Sequence, residues 1–316
     1  MMQWRKLGIV YSPDRSQPWA HSHAIIPTPL LLENGVLRIY CTMCDEQMVG
    51  RPGYVDVNPQ NPFEILAVSK EPLLDVGLPG TFDENGVLVC SVVAMRSSIF
   101  MYYVGFELGT KIRYRMLTGV AVSNDGGQTF KRLKNTPVLE RSDQELYFRG
   151  GPFALWQQDR MRLWYVSGSE WTNLKGKTMP MYDLKYQESS DGITWQDEGV
   201  LSLAATNTDE YGFGRPWVVC RDADNYQLFY SIRKRSTVAY RLGYAESKDG
   251  LQWIRKDDEI GLDVSPGSFD SDAIMYAAVI TIGEKTYCFY NGNEFGRDGF
   301  AVVRSVQRLS CVTQLK

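Results

Sequence analysis

Asp83, Glu84, Glu170, Asp270 and Asp272 are residues of the type that cleaves glycosidic bonds when two of them face each other across one pocket. One carboxylic acid protonates the leaving oxygen; a second carboxylate activates water or attacks the anomeric carbon. Arg149, Arg215, Arg233 and Lys234 offer something different. A guanidinium presents a planar fork of donors that suits a carboxylate, phosphate or sulfate. The chain has two histidines, His21 and His23, and positions two apart share a face of a strand. No third histidine exists to complete a ligand set, so no metal is expected, and hydrogen bonding to a sugar or phosphate is. Trp171, beside Glu170, has a ring suited to stacking on a sugar or filling a core.

An internal repeat is what could gather these residues. A short strand ending in tyrosine recurs at Leu37–Tyr40, Phe100–Tyr103, Arg162–Tyr165, Gln227–Tyr230 and Tyr287–Tyr290, with the tyrosines 63, 62, 65 and 60 residues apart. Each copy follows an apolar run and a turn, such as Ala24 to Leu32 before Glu33-Asn34-Gly35. These pairs read as first and second strands joined by hairpins. A Ser-x-Asp-Gly type of element follows in three repeats, at Ser123–Phe130, Ser190–Trp195 and Ser247–Trp253. There the aspartate accepts backbone N–H bonds and the glycine takes positive φ, a turn rather than a catalytic group. Val55 to Pro59 replaces it in the first repeat.

Four strands per repeat without a helical period describe a propeller blade. The expected fold is therefore all-β: a five-bladed β-propeller of four-stranded antiparallel blades, with residues 1–316 as one domain. Trp4 to Ile9 resembles the outer-strand segments that start at Trp195 and Trp253, and the fifth repeat lacks an outer strand after Val303. The N-terminal strand is expected to complete the last blade and close the ring, which removes exposed edges.

Composition excludes several classes. The 44% hydrophobic and 22% charged fractions rule out disorder. A net charge of −3 argues against nucleic acid as a partner. No stretch approaches the roughly 20 apolar residues of a membrane span. No apolar run follows Met1 to Lys6, so no secretory signal is expected, and the six cysteines are expected to be reduced in a cytoplasmic protein. The lone Cys41-x-x-Cys44 lacks the second pair that a metal site needs.

In a propeller the ligand face forms where first strands begin and second strands end. The lead-ins here are His21-Ser22-His23, Phe82-Asp83-Glu84-Asn85, Phe148-Arg149-Gly150-Gly151, Phe213-Gly214-Arg215-Pro216 and Phe269-Asp270-Ser271-Asp272. The strand ends contribute Glu107, Glu170, Trp171, Arg233 and Lys234. Charges in register at buried strand starts predict a polar funnel, because an isolated buried charge is costly. The competing reading is that the charges pair with one another, Arg149 and Arg215 against Asp83 and Asp272.

Five blades with Ser-x-Asp-Gly-x-x-Trp hairpins resemble the five-bladed propeller glycosidases: glycoside hydrolase families 43, 32, 62 and 68, and the family 130 mannoside phosphorylases. The closest local likeness is to family 130, over Pro62 to Leu74, Glu84 to Val87 and Phe100 to Gly105. The resemblance implies a carbohydrate-active enzyme that hydrolyses, phosphorolyses or transfers a glycosidic bond without a cofactor. By position in the repeats, Asp83, Glu84 and Asp272 are expected to act as acid, base or nucleophile. His21, His23, Arg149, Arg215, Arg233, Asp270, Glu170 and Trp171 are then expected to bind the carbohydrate, with an anionic group or phosphate where the arginines lie. The departures are specific. Family 43 has Glu-Gly-Pro at the third lead-in, where this chain has Gly150-Gly151-Pro152, and its first-blade Asp is replaced by the His21 region. The Glu-Asp-Pro-Arg of family 130 does not occur. The Ser123 turn also resembles a sialidase Asp box, but sialidases have six blades. The alternative function is a propeller that binds a sugar or a protein without catalysis.

Overall fold

The computed structural model describes residues 1–95 and 97–306. Apart from short 3-10 turns, the regular structure among them is strand. After β1 (Trp4–Tyr11), the first meander holds β2 (Ser22–Leu31), β3 (Leu37–Cys44), β4 (Gly50–Asn58) and β5 (Asn61–Val68). The second holds β6 (Val87–Met95), β7 (Ser98–Leu108), β8 (Tyr114–Ser123) and β9 (Lys131–Arg132). The third holds β10 (Phe148–Gln157), β11 (Arg160–Leu174), β12 (Lys177–Ser189) and β13 (Val200–Leu203). The fourth holds β14 (Glu210–Asp222), β15 (Asn225–Lys234), β16 (Ala239–Ser247) and β17 (Ile254–Arg255). The fifth holds β18 (Met275–Ile282), β19 (Lys285–Asn291) and β20 (Phe300–Ser305). Within each meander, successive strands pair antiparallel. The fifth takes its outer strand from the chain start, since β1 pairs with β20 from Trp4↔Ser305 to Tyr11↔Phe300.

Neighbouring meanders cover one another, so inner strands are apolar on both faces. All eight residues of β3 are buried, whereas most of β5 is exposed. The repeat tyrosines Tyr40, Tyr103, Tyr165, Tyr230 and Tyr290 are all fully buried. Short parallel contacts link β8 to β10 and β12 to β14. The Ser-x-Asp-Gly elements are turns, as the chemistry requires. Ser123 Oγ donates to Asp125 and Ser247 Oγ to Asp249, while in the middle copy the serine is Ser189, not Ser190. Gly126, Gly192 and Gly250 have φ of +74°, +72° and +75°, which a side chain would resist.

The first strand of every meander breaks register at a corresponding place, with further breaks in β2 and β14: between Ile25 and Thr28, Val89 and Ser91, Gly150 and Phe153, Gly214 and Trp217, and Met275 and Ala278. Ile26, Gly151, Arg215 and Tyr276 sit in these bulges with φ of +56°, +57°, +34° and +60°. Positive φ at a β-branched isoleucine is strained and persists only where the surroundings dictate it. A bulge re-aims side chains. Here it sets the bulge residues of different meanders against one another: Ile26, Cys90, Met275 and Tyr276 share one apolar cluster.

Candidate functional site

Most of the in-register charges are consumed in a repeated contact. In four meanders the buried repeat tyrosine donates to a buried or half-buried carboxylate: Tyr103 to Asp83 at 3.0 Å, Tyr165 to Glu145 at 3.0 Å, Tyr230 to Asp257 at 2.5 Å and Tyr290 to Asp270 at 3.1 Å. A cation also holds each carboxylate, at Asp83 and Asp270 through the same oxygen that the tyrosine reaches. Arg132 donates to Asp83 at 2.8 Å, and Arg255 to Asp257 at 2.6 Å. Arg149 and Lys185 lie 2.8 and 3.2 Å from Glu145, and Lys6 pairs with Asp270. Arg149 also donates to the carbonyls of Glu140 and Gln196. The expected pairing of lead-in charges with one another is not found: Asp83, Arg149 and Asp270 are each paired, but with partners from elsewhere. Arg132, Arg255 and Lys6 belong to the outer strands β9, β17 and β1.

Arg215 lies where the bulges meet. It is 2% exposed and donates to the carbonyls of Tyr276, Ala277 and Cys90 and to Thr28 Oγ1, so it ties four meanders together. Burial pulls its guanidinium down to about 9, which leaves it charged at neutral pH. Among the described residues it meets no carboxylate there: neither Asp83 nor Asp272 is within ion-pair distance.

The histidines do not form a pair on a strand face. His21 precedes β2 and lies 3.8 Å from Glu46, while His23 is buried with φ of +61° and its Nδ1 is 2.8 Å from Ser22 Oγ. The left-handed residue breaks the alternation that the spacing implied. Burial holds the His23 pKa below the ordinary histidine value, against the opposing pull of the Glu294 carbonyl. Among the described residues no group of three His, Cys, Asp or Glu is arranged to hold a metal ion. Cys41 and Cys44 are free and buried, and burial pushes the Cys44 thiol up to about 12, away from thiolate chemistry. Cys311 lies outside the described residues.

What the bulged strands and neighbouring strand ends do assemble is a basin of aromatic rings. Phe106 meets Tyr114 at 5.8 Å, and Tyr114 meets Phe148 at 5.9 Å. Phe148 packs on Tyr182 at 5.0 Å and on Trp171 at 5.3 Å. On the other side Tyr240 meets Tyr276 at 5.7 Å and Phe295 at 6.1 Å. Arg233 joins the two halves, with its guanidinium 5.0 Å from the Tyr182 ring and 6.0 Å from that of Tyr240. Phe106, Tyr114, Trp171 and Tyr240 are half-buried, so part of each ring remains accessible. The Trp171 indole N–H is buried and has no acceptor among the described residues.

Carboxylates lie on chain segments that adjoin this basin. Glu84 is exposed and accepts from the Gly80 N–H at 2.7 Å; the next residue, Asn85, donates to the Phe106 carbonyl. Asp272 is exposed, its backbone N–H held by Asn293, and Arg241 bridges its carbonyl to that of Tyr240. Glu170 is exposed on β11. It lies near Asp183, a half-buried group whose pKa is raised by burial and by the Glu170 charge, against the pull of the Ala205 N–H and Lys185. Tyr114, Tyr182 and Tyr240 escaped the reading of lead-ins and strand ends because they lie on third strands. A tyrosine in the third strand of three successive repeats was the available signal.

No protein-family model matches the chain. The uncharacterized protein Rv1502 of Mycobacterium tuberculosis (strain ATCC 25618 / H37Rv) is 32% identical over 301 residues, covering 95% of this chain and 98% of that one. The chain belongs to the Rv1502 family. For the fold of that family the solved structures are informative. A protein described as a glycoside hydrolase matches with a TM-score of 0.73 at 16% identity, over 98% of this chain and 94% of its own. A thermostable family-43 glycoside hydrolase matches with a TM-score of 0.67 at 16% identity, over 89% and 88%. At such identities the likeness establishes the fold, that of the propeller glycosidases. Among the described residues no helix is long and apolar enough to cross a membrane.

Proposed function

We propose that residues 1–316 form one five-bladed propeller whose blades are the five meanders, and that it is a carbohydrate-active enzyme working at the aromatic basin. The observation that carries this reading is the run of half-buried rings around Arg233, with the exposed carboxylates Glu84 and Asp272 on adjoining segments. Aromatic faces pack on the C–H faces of sugars and shed water there. Glu84 and Asp272 supply the acid and the base or nucleophile of glycosidic cleavage or transfer. Asp83, enclosed by Tyr103 and Arg132, supports the lead-in that carries Glu84. His21, His23, Glu170, Trp171 and Arg233 contribute binding contacts. Arg149, Arg215 and Asp270 act from behind by holding the blades. The buried free thiols fit a cytoplasmic setting.

Release of nitrophenol from a panel of nitrophenyl glycosides, with and without inorganic phosphate, tests this reading. Turnover that disappears in Glu84→Gln and Asp272→Asn supports it, and dependence on phosphate distinguishes phosphorolysis from hydrolysis. A second reading, binding without cleavage, is favoured by Gly150 at the third lead-in and by the capture of Asp83 and Asp270 in ion pairs. Saccharide binding with no turnover across the panel would establish it instead.

A further inference from the structure

We infer that the saccharide taken by the basin carries a carboxylate, and that Arg233 is the group that reads it. The inference rests on the carbohydrate reading above and adds the substrate class. Arg233 is 5% exposed and is packed against Tyr211, Tyr182 and Tyr240 at 4.4, 5.0 and 6.0 Å. Its hydrogen bond goes to the Pro180 carbonyl at 2.9 Å, and among the described residues no carboxylate lies within ion-pair distance of it. Arg235 next to it is similar: it lies 5.5 Å from the Tyr211 ring and donates to Thr172 Oγ1 and the Thr208 carbonyl.

Other buried arginines are treated differently. Arg38 is clamped to Asp56 at 2.7 Å, Arg149 lies 2.8 Å from Glu145, and Arg215 is wrapped by three backbone carbonyls from two meanders and by Thr28. A buried charge without a counter-ion is costly, and tyrosine faces offset only part of that cost. The missing negative charge is therefore supplied by the ligand. A carboxylate is planar and singly charged, so one guanidinium both neutralises it and fixes its plane through two parallel hydrogen bonds. A phosphate would bring close to two charges. An acid-bearing sugar also uses the rest of the basin, with its ring on Tyr240 or Tyr114 and a hydroxyl available to the Trp171 N–H.

Calorimetric titration with matched pairs, glucuronides against glucosides and galacturonides against galactosides, with inorganic phosphate as a separate arm, tests this. In at least one pair the acid is expected to bind about tenfold or more tightly than its neutral partner, the order of one charge-assisted hydrogen bond. That preference should shrink as salt rises from about 0.05 to 0.5 M. It should vanish in Arg233→Met while neutral sugars still bind, fall partway in Arg233→Lys, and weaken in Arg235→Met. Equal affinity for acid and neutral partners overturns the inference and leaves the carbohydrate reading standing. So does a preference that survives Arg233→Met, or phosphate binding with no uronide preferred. If Arg233→Met does not fold, the salt arm on the native protein and Arg233→Lys decide. If no saccharide binds at all, the carbohydrate reading itself fails and the inference falls with it.

Discussion

The contacts between meanders and the basin at their ends use the same two residue types, tyrosine and arginine, in opposite ways. In the clamps each tyrosine is fully buried, each carboxylate is bound by it and by a cation, and each charge has its counter-ion. In the basin several rings are half-exposed, and Arg233 lies against tyrosines with no carboxylate among the described residues beside it. A network whose charges are paired gives rigidity and a unique arrangement of neighbours. An unsatisfied one keeps interaction capacity for something that arrives later. The difference teaches that charge at a lead-in is not by itself a sign of function. The decisive property is whether the protein already neutralises it.

The largest expected effect that would test this contrast is Glu145→Ala. It strips the carboxylate from Arg149, Lys185 and Tyr165 together and is expected to cost about 3–5 kcal/mol in urea denaturation, as for other broken buried pairs. A loss under about 1 kcal/mol would mean that the clamps are not what holds the meanders. Asp83→Asn comes next, at about 2 kcal/mol, because Arg132 and Tyr103 lose a charged acceptor. Its saccharide affinity should stay near the native value; activity abolished at unchanged stability would move Asp83 from scaffold to chemistry.

Tyrosine-to-phenylalanine changes sharpen the comparison. Tyr290→Phe removes a donor to the buried Asp270 and should cost about 1.5 kcal/mol. Tyr40→Phe, whose hydroxyl reaches only a carbonyl at 3.5 Å, and Tyr114→Phe, whose hydroxyl is 3.5 Å from that of Tyr182, should each cost about 0.5 kcal/mol. Equal losses at all three sites would erase the distinction between clamp and basin.

The smallest effect is a pH dependence at the exposed turns. Burial pulls the Asp191 carboxyl upward, but the N–H groups of Thr194 and Ile193 and the hydroxyls of Ser189 and Thr194 outweigh it and bring the pKa to about 2. The folded value is depressed, so the stability that Asp191 contributes is present above its ordinary value of about 3.8 and is lost as pH falls toward 2. Thermal melts of Asp191→Ala and the native protein should therefore differ at neutral pH and converge at the acid end.

Much of the architecture was legible in the chain. The tyrosine spacing marked five second strands, the apolar runs before them marked the first strands, and the resemblance of Trp4 to Ile9 to outer strands pointed to the pairing of β1 with β20. Local pattern suffices there because strand period, hairpin turns and burial of one tyrosine per repeat are all short-range signals. The site was only partly legible. Arg233 and Trp171 were found, and the structure sets both in the aromatic basin. Asp83, Asp270 and Arg149 were nominated for charge alone. Their partners Arg132, Lys6 and Glu145 lie outside the aligned lead-ins, so no alignment of repeats could reveal that they were occupied.

The sequence by itself determined the repeat, the strand order and the turns, since each depends on residues close together in the chain. Tertiary structure decided which charges are spent. Lys6 meets Asp270, and Arg215 meets Thr28, only because the meanders pack against one another and the first-strand bulges turn their residues inward. Those contacts join positions 264 and 187 residues apart. Ion pairing depends on distance in space, steeply so in a low-dielectric interior, and no spacing along the chain encodes that distance.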